Sequence, residues 1–181
     1  MHYSEMLWLL LIYTLPAHPS RKRALVWRKL KKLGVVYLRD GVCALPDRVE
    51  AARELRVVAT SIEQLGGRAT LVEAARLDSR RAAEIVAESR AARAAEYAEL
   101  AREAERFLDY VRAEGEHREL GPSERQALQT DLDKLKLWAQ QIEARDHFGT
   151  PRGRQVPELF ARCDELFARP AAAALPQEVR R

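Results

Sequence analysis

Short apolar runs separated by turn-forming residues dominate the first 77 positions of the chain. The run LWLLLIYTLP (7–16) is apolar at consecutive positions and ends at a proline, which predicts a central strand covered on both faces. The runs VVYL and VCAL flank Arg39-Asp40-Gly41, and an Asp-Gly step between such runs predicts a hairpin. The segment RATLVEA (68–74) predicts a fourth strand.

Helical patterns lie between these strands. After Ser20, which is predicted as the N-cap, a helix places Val26, Trp27, Leu30 and Leu33 on one apolar face. Gly34 follows as the predicted stop, with Lys31 and Lys32 in the last turn. A second helix is predicted from a cap at Asp47 to about Leu65, where Gly66-Gly67 ends it.

The order of these elements, β-α-β-β-α-β, predicts an α+β fold of the ferredoxin-like type. Its usual form is a four-stranded antiparallel sheet with both helices on one face. We therefore assign residues 1–77 to a ferredoxin-like domain with a basic first helix.

Residues 78–170 are predicted to form a helical arm. No Gly or Pro interrupts 78–114, which predicts one long helix, and Ser123 with Gln126 has the spacing of a capping box. A 4-3 spacing of apolar residues then predicts a helix that needs a partner; these residues are Leu128, Leu132, Leu135, Ala139 and Ile142. An antiparallel hairpin with the preceding helix accounts for this pattern more simply than a coiled coil between chains. A short helix near Phe160 and a loose tail at 171–181 complete the arm.

The positive charge of the chain is concentrated in one place. Residues 1–77 hold thirteen cations and seven acids, although the whole chain carries a net charge of only +4. Seven of the thirteen cations lie in SRKRALVWRKLKKLG (20–34), which contains no acid. Such a patch is typical of a surface that meets phosphates, and a solvated helix face is the alternative interpretation.

The remaining chemistry-bearing residues suggest no cofactor, metal or enzyme. Cys43 and Cys163 are far apart and form no CxxC pair, which favours a reduced, cytoplasmic protein. The apolar run before Pro16 has about half the length of a membrane span and lacks the flanks of a signal peptide. Neither the four histidines nor the glycines have the spacing of a metal site, a phosphate loop or a catalytic triad.

Several stretches of the sequence resemble the N-terminal domain of the chromate-resistance regulator ChrB family. These stretches are LWLLLIYTLP (7–16), PSRKRALVWRKLKKLGVVYLRDGVCALP (19–46), IEQLGGRATLVEA (62–74) and WAQQIEARDHFGTP (138–151). The strand-helix-hairpin-helix-strand core is also similar to the C-terminal part of PaaX-type repressors, and more distantly to small CRISPR-associated ferredoxin-like nucleases. A nuclease of that type carries an acid at the end of its first strand, where this chain has Tyr13-Thr14-Leu15-Pro16.

The resemblance to ChrB implies a bacterial, cytoplasmic transcriptional regulator. Such a regulator holds a chromate-resistance operon off until chromate, its inducer, is present. Full-length members of that family carry a further C-terminal domain. Double-stranded DNA is the implied partner, and a homodimer would present two basic helices to two half-sites. The alternative is a dimeric protein-interaction module that does not bind DNA, and a chromate-handling enzyme has less support.

For DNA binding, the sequence favours long cations on or beside the first helix. They are Arg21, Lys22, Arg23, Arg28, Lys29, Lys31, Lys32 and, at the hairpin, Arg39. For an oxyanion, weaker candidates are the turn at 20–23 and, near the start of the long helix, Arg76, Arg80 and Arg81. The alternative is that Arg80 and Arg81 only pair with Glu84 and Glu88. The two cysteines could reduce chromate, but core positions explain them better, and core packing is also predicted for Trp8, Trp27 and Trp138.

Overall fold

The structure, a computed structural model, describes residues 5–117 and 121–168, and their side chains over 5–114 and 121–165. The tail predicted at 171–181 lies outside the described residues. In chain order the elements are β1 (Leu7–Thr14), α1 (Ser20–Leu33), β2 (Val36–Arg39), β3 (Val42–Pro46), α2 (Val49–Gln64), β4 (Arg68–Arg76), α3 (Ser79–His117), α4 (Pro122–Glu143) and α5 (Val156–Ala168). A 3-10 helix, Pro151–Gln155, precedes α5.

The four strands form one sheet in the order β2-β3-β1-β4, and every neighbouring pair is antiparallel. The central strand β1 pairs Leu10 with Ala44 of β3 on one side and with Val72 of β4 on the other. This arrangement confirms the predicted α+β fold with its β-α-β-β-α-β order.

Alternation along β1 explains why that strand is apolar at consecutive positions. Leu9 and Leu11 are buried in a cluster with Val26 and Leu30 of α1, and the same cluster includes Leu55 of α2. On the opposite face, Trp8 is buried in a second cluster, to which α3 contributes Ala82, Ile85 and Val86. Strand β1 is therefore covered on both faces, as predicted: α1 and α2 pack on one face, and the beginning of α3 packs on the other.

The chain divides into two compact units. The sheet unit contains the sheet, α1, α2, the part of α3 up to Arg93, and residues 141–150. Of the described residues, the helical unit contains 94–117, 121–140 and 151–168. Within the helical unit, Leu108 of α3, Leu132 of α4 and Cys163 of α5 share one buried cluster, as the predicted hairpin of helices requires.

Three helix starts differ from the prediction. Pro19 takes the N-cap position of α1 without a side-chain hydrogen bond, so Ser20 is the first helical residue. Asp47 does not cap α2, because its Oδ2 accepts a hydrogen bond from the Ala74 N–H at 2.8 Å. Helix α4 begins at Pro122, where Glu124 Oε2 accepts from the Gly121 N–H at 3.1 Å, in place of the predicted Ser123 and Gln126 pair.

Candidate nucleic-acid interface

Helix α1 is held in place by its apolar face and by a defined C-terminal end. Val26 and Leu30 are fully buried against the sheet. Gly34 adopts a left-handed conformation with φ of 73°, and its N–H donates to the carbonyl oxygens of Leu30 and Lys31. A helix commonly ends on glycine in this way, because glycine enters the left-handed region without strain. The predicted end of α1 at Gly34 is confirmed. The packing of the apolar face on the sheet fixes the position of the outer, basic face of the helix.

Two of the seven cations of α1 face the end of α2. Lys22 Nζ donates a hydrogen bond to the carbonyl oxygen of Leu65 at 2.9 Å, and Lys29 Nζ donates to Ser61 Oγ at 2.8 Å. Both lysines are half-buried. The carbonyl end of a helix favours a positive charge, so these contacts stabilise the packing of α1 on α2.

The other five cations of α1 are exposed. They are Arg21, Arg23, Arg28, Lys31 and Lys32. None of the seven forms an ion pair with any residue that the structure describes, and α1 itself contains no acid. The positive charge of this helix is therefore uncompensated.

Several cations of the later helices form ion pairs instead. Arg106 pairs with Glu103 at 2.7 Å on α3, and Lys134 pairs with Asp131 at 2.8 Å on α4. Arg162 of α5 pairs with Glu105 at 2.8 Å. These pairs neutralise part of the charge on the long helices, whereas no ion pair with a described residue offsets the positive charge of α1.

Trp27 does not lie in the core, in contrast to the prediction. Its side chain is 48% exposed, and Lys31 Nζ lies 4.8 Å from the centre of the ring. Trp8 is fully buried as predicted, and Trp138 is half-buried. Trp27 follows Val26 by about 100° around the helix, which carries it off the narrow stripe that contacts the sheet.

Arg39 is an exposed residue at the end of the edge strand β2. The hairpin that follows it is fixed by Gly41, which has φ of 71° and whose carbonyl oxygen accepts from the Tyr13 N–H at 2.7 Å. Arg39 thus stands on a different element from the five exposed cations of α1.

The weaker oxyanion candidates are mostly engaged. Arg80 and Arg81 both pair with Glu84, at 3.8 and 3.0 Å, and Arg81 also reaches Glu88 at 3.4 Å. The Asp78 carboxylate accepts the Arg81 backbone N–H at 2.9 Å, so an acid already occupies the start of α3. Arg80 and Arg81 therefore pair with Glu84 and Glu88, as the alternative to oxyanion binding predicted. The third candidate, Arg76, is exposed at the end of β4.

Both cysteines are core residues. Cys43 is fully buried between the sheet and α1, and burial raises the pKa of its thiol to about 12. Cys163 is fully buried in the helical unit, and burial raises its pKa as well. Since the thiolate is the reactive form, neither position suits redox chemistry near neutral pH.

Residues 145–148, between α4 and the 3-10 helix, anchor the end of α1. His147 Nε2–H donates to the Leu33 carbonyl oxygen at 2.8 Å, and Arg48 Nη2 donates to the His147 carbonyl oxygen at 2.8 Å. Phe148 packs on Trp8 with ring centres 5.9 Å apart. In the sequence, His147 and Phe148 lie in WAQQIEARDHFGTP (138–151), one of the stretches that carry the family resemblance, but nothing there indicates these contacts.

Two further properties concern only the described residues. None of their helices combines the length and the apolar character needed to cross a bilayer. Among them, no three His, Cys, Asp or Glu side chains are grouped so that they could hold a metal ion.

The model of the family described as "Protein ChrB, N-terminal" matches residues 23–177. The chain belongs to the ChrB N-terminal family. This confirms the resemblance read from the sequence, and the matched range begins within α1, at Arg23.

One curated relative of the chain is Protein ChrB of Cupriavidus metallidurans, which is 35% identical over 80 residues. The aligned segment is 44% of this chain and 25% of that protein, so it spans about a quarter of the length of the relative. No solved structure matches the chain.

Proposed function

We propose that this ChrB-family chain is the DNA-binding part of a transcriptional regulator of chromate resistance, and that α1 contacts double-stranded DNA. One observation carries the proposal. Helix α1 has seven cations, no acid on the helix and no ion pair with any described residue, whereas Arg106 on α3, Lys134 on α4 and Arg162 on α5 are paired. A phosphate backbone is the partner that such a surface suits.

The geometry of α1 sets the number of phosphates that it can reach. Its 14 residues span about 21 Å, and Arg21, Arg28 and Lys32 lie on one outward stripe. The same length of duplex axis carries about six phosphates on each strand. Three phosphate contacts from this stripe are therefore feasible, with Arg23, Lys31 and Arg39 as flanking contacts.

The test is fluorescence anisotropy on two labelled duplexes across a series of salt concentrations. One duplex is the region upstream of the chain's own gene, and the other is a scrambled control. We expect tight binding that prefers the native duplex and weakens steeply with salt. A triple variant, Arg21→Gln, Arg28→Gln and Lys32→Gln, should reduce the salt slope by about 0.9 for each phosphate that is no longer neutralised.

A matched control removes three exposed cations elsewhere, in Arg102→Gln, Arg152→Gln and Arg154→Gln. This variant has the same net charge as the α1 variant and should bind DNA nearly as the unmodified protein does. Equal losses in the two triple variants would show only an effect of net charge. Absence of duplex binding together with firm dimerisation would favour the interaction module instead.

The rest of the regulatory cycle is part of the same proposal. Chromate acts as the inducer, so its addition should release the native duplex, whereas sulfate at the same concentration should not. A homodimer would place one α1 on each half-site, which predicts a palindromic operator. The regulator works in the cytoplasm, where the DNA lies, and needs no cofactor or enzymatic activity.

A further inference from the structure

Trp27 is an exposed aromatic side chain in the middle of the most basic helix. The same helix exposes Leu25 to 38%, while the smaller Val26 between them is fully buried. A single exposed apolar residue is ordinary on a protein surface. A tryptophan amid five exposed cations is a more specific combination.

The residues four positions before and four positions after Trp27 on α1 are both positively charged. Arg23 lies four residues before it and Lys31 four residues after it, so all three lie on one stripe of the helix. The Lys31 ammonium, 4.8 Å from the ring centre, makes a cation–π contact that restrains the indole. The ring thus has Lys31 over it and Arg23 about one helical turn before it, and no acid on the helix offsets these two cations.

A nucleic acid is chemically complementary to this stripe. Its phosphates can bind the two cations, and its sugars and bases present flat surfaces on which the indole ring can pack. Arg23 and Lys31 are eight residues apart, which is about 12 Å along the helix. Cations at that separation can contact different phosphates of one strand. The ring between them would meet the intervening nucleotides.

An anionic membrane would also attract cations and tryptophan, but α1 suits it less well. A helix that lies in a bilayer surface buries a broad apolar face. The apolar face of α1 is occupied by the core of the sheet unit, where Val26 and Leu30 are fully buried. Only Trp27 and Leu25 remain as large apolar groups facing outward.

We propose that Trp27 is a DNA-contacting residue whose indole ring packs on a nucleotide between the phosphates bound by Arg23 and Lys31. This inference rests on the proposed function, and it adds an uncharged contact to the electrostatic ones. Loss of the ring should therefore weaken binding without changing its salt dependence, since no charge is removed.

The experiment measures two signals in the same titration of the full chain with the native duplex. Anisotropy of the labelled duplex reports binding, and acrylamide quenching of tryptophan fluorescence reports cover of the exposed indole. The variants are Trp27→Ala, Trp27→Phe and, as a matched control in the helical unit, Trp138→Phe. Circular dichroism and thermal melting check that each variant is folded.

We expect DNA to protect an indole in the unmodified protein and in Trp138→Phe, but not in Trp27→Phe. Trp27→Ala should weaken duplex binding by roughly tenfold, the usual scale for an aromatic contact to a nucleotide, at an unchanged salt slope. Trp27→Phe should retain part of the affinity, because a smaller ring still packs.

Three outcomes would overturn the inference, in distinguishable ways. Duplex binding with equal affinity in Trp27→Ala and no protection of Trp27 would remove the contact and leave the proposed function standing. No duplex binding by the unmodified protein would remove both. Vesicles of anionic phospholipid that protect Trp27, when the duplex does not, would assign the stripe to a membrane surface.

Discussion

The imidazole of His147 donates a hydrogen bond from Nε2 to the carbonyl oxygen of Leu33, 2.8 Å away and 114 positions earlier in the chain. Leu33 is the last residue of α1, so its carbonyl oxygen has no partner within the helix. The bond satisfies this oxygen and fixes the end of the basic helix. The position of α1 therefore depends on a histidine that the sequence did not single out.

Stability should depend on pH through His147. Burial lowers its pKa below the usual value of about 6.5, and the nearby charges of Arg48 and Arg93 lower it further, while the bond to Leu33 and Asp146 act in the opposite direction. As the pH falls below 6.5, the unfolded state takes up a proton that the folded state does not. The stabilising contribution of neutral His147 should therefore be fully present above pH 6.5. The free energy of unfolding should decrease as the pH falls from there towards the pKa of His147 in the folded state.

The measurement is urea unfolding between pH 5 and pH 8. His147→Gln should be less stable than the unmodified protein at pH 7.5 and should lose less stability on acidification. His18→Gln removes an exposed histidine of the same unit and serves as the control. Parallel pH profiles for the unmodified protein and His147→Gln would contradict this prediction.

Lys29 and Lys32 should differ in DNA binding although they are three residues apart. Lys29 is half-buried and bonded to Ser61, whereas Lys32 is exposed and has no ion-pair partner among the described residues. Lys32→Gln should reduce the salt slope of duplex binding by about 0.9, and Lys29→Gln should leave the slope nearly unchanged. A similar decrease of the slope in both variants would mean that Lys29 leaves Ser61 to meet DNA.

Gly34 should tolerate alanine less well than Gly149. Both have positive φ, at 73° and 67°, where a side chain costs about 1–2 kcal/mol. A Cβ at Gly34 would also lie 2.9 Å from Arg145 Cβ, whereas a Cβ at Gly149 would meet nothing within 4 Å. Gly34→Ala should lower the free energy of unfolding by about 1 kcal/mol more than Gly149→Ala does. If both variants lose the same free energy of unfolding in urea, the segment around Arg145 shifts to admit the new methyl group without a loss of stability.

The two cysteines should be unreactive in the folded protein. Cys43 and Cys163 are fully buried, and burial raises the pKa of each thiol. At pH 8, a thiol reagent such as Ellman's reagent should label neither cysteine within minutes, and both should react at once in denaturant. Rapid reaction of one thiol in the folded state would reopen the possibility of chromate reduction.

The pattern of apolar residues is sufficient to predict the strands and helices, because periodicity reports which face is buried. It is insufficient for side chains whose partners lie far away in the chain. Lys22 and Lys29 resemble free cations in the sequence, since nothing local shows that α2 ends beside them at Ser61 and Leu65. Asp47 resembles a cap, since its bond to Ala74 depends on how β4 is placed.

The error on Trp27 has a different cause. A helical wheel places Trp27 beside Val26 and Leu30, and a large apolar side chain is expected to be buried. The sheet contacts a narrower stripe, however, and leaves Trp27 outside it. The family resemblance, in contrast, depends on local motifs alone and is confirmed by the match to residues 23–177.

The cover of Trp8 has a consequence for how the protein is made. Strand β1 leaves the ribosome before the other elements described here, but its Trp8 packs on Phe148, and α1 receives its bond from His147 only after α4 has been translated. Contacts between such distant positions slow folding, because a long loop must close before they form. During synthesis, the basic helix α1 is therefore exposed before His147 can bond to the Leu33 carbonyl oxygen at its end. A chaperone or a nucleic acid could bind the helix in that interval.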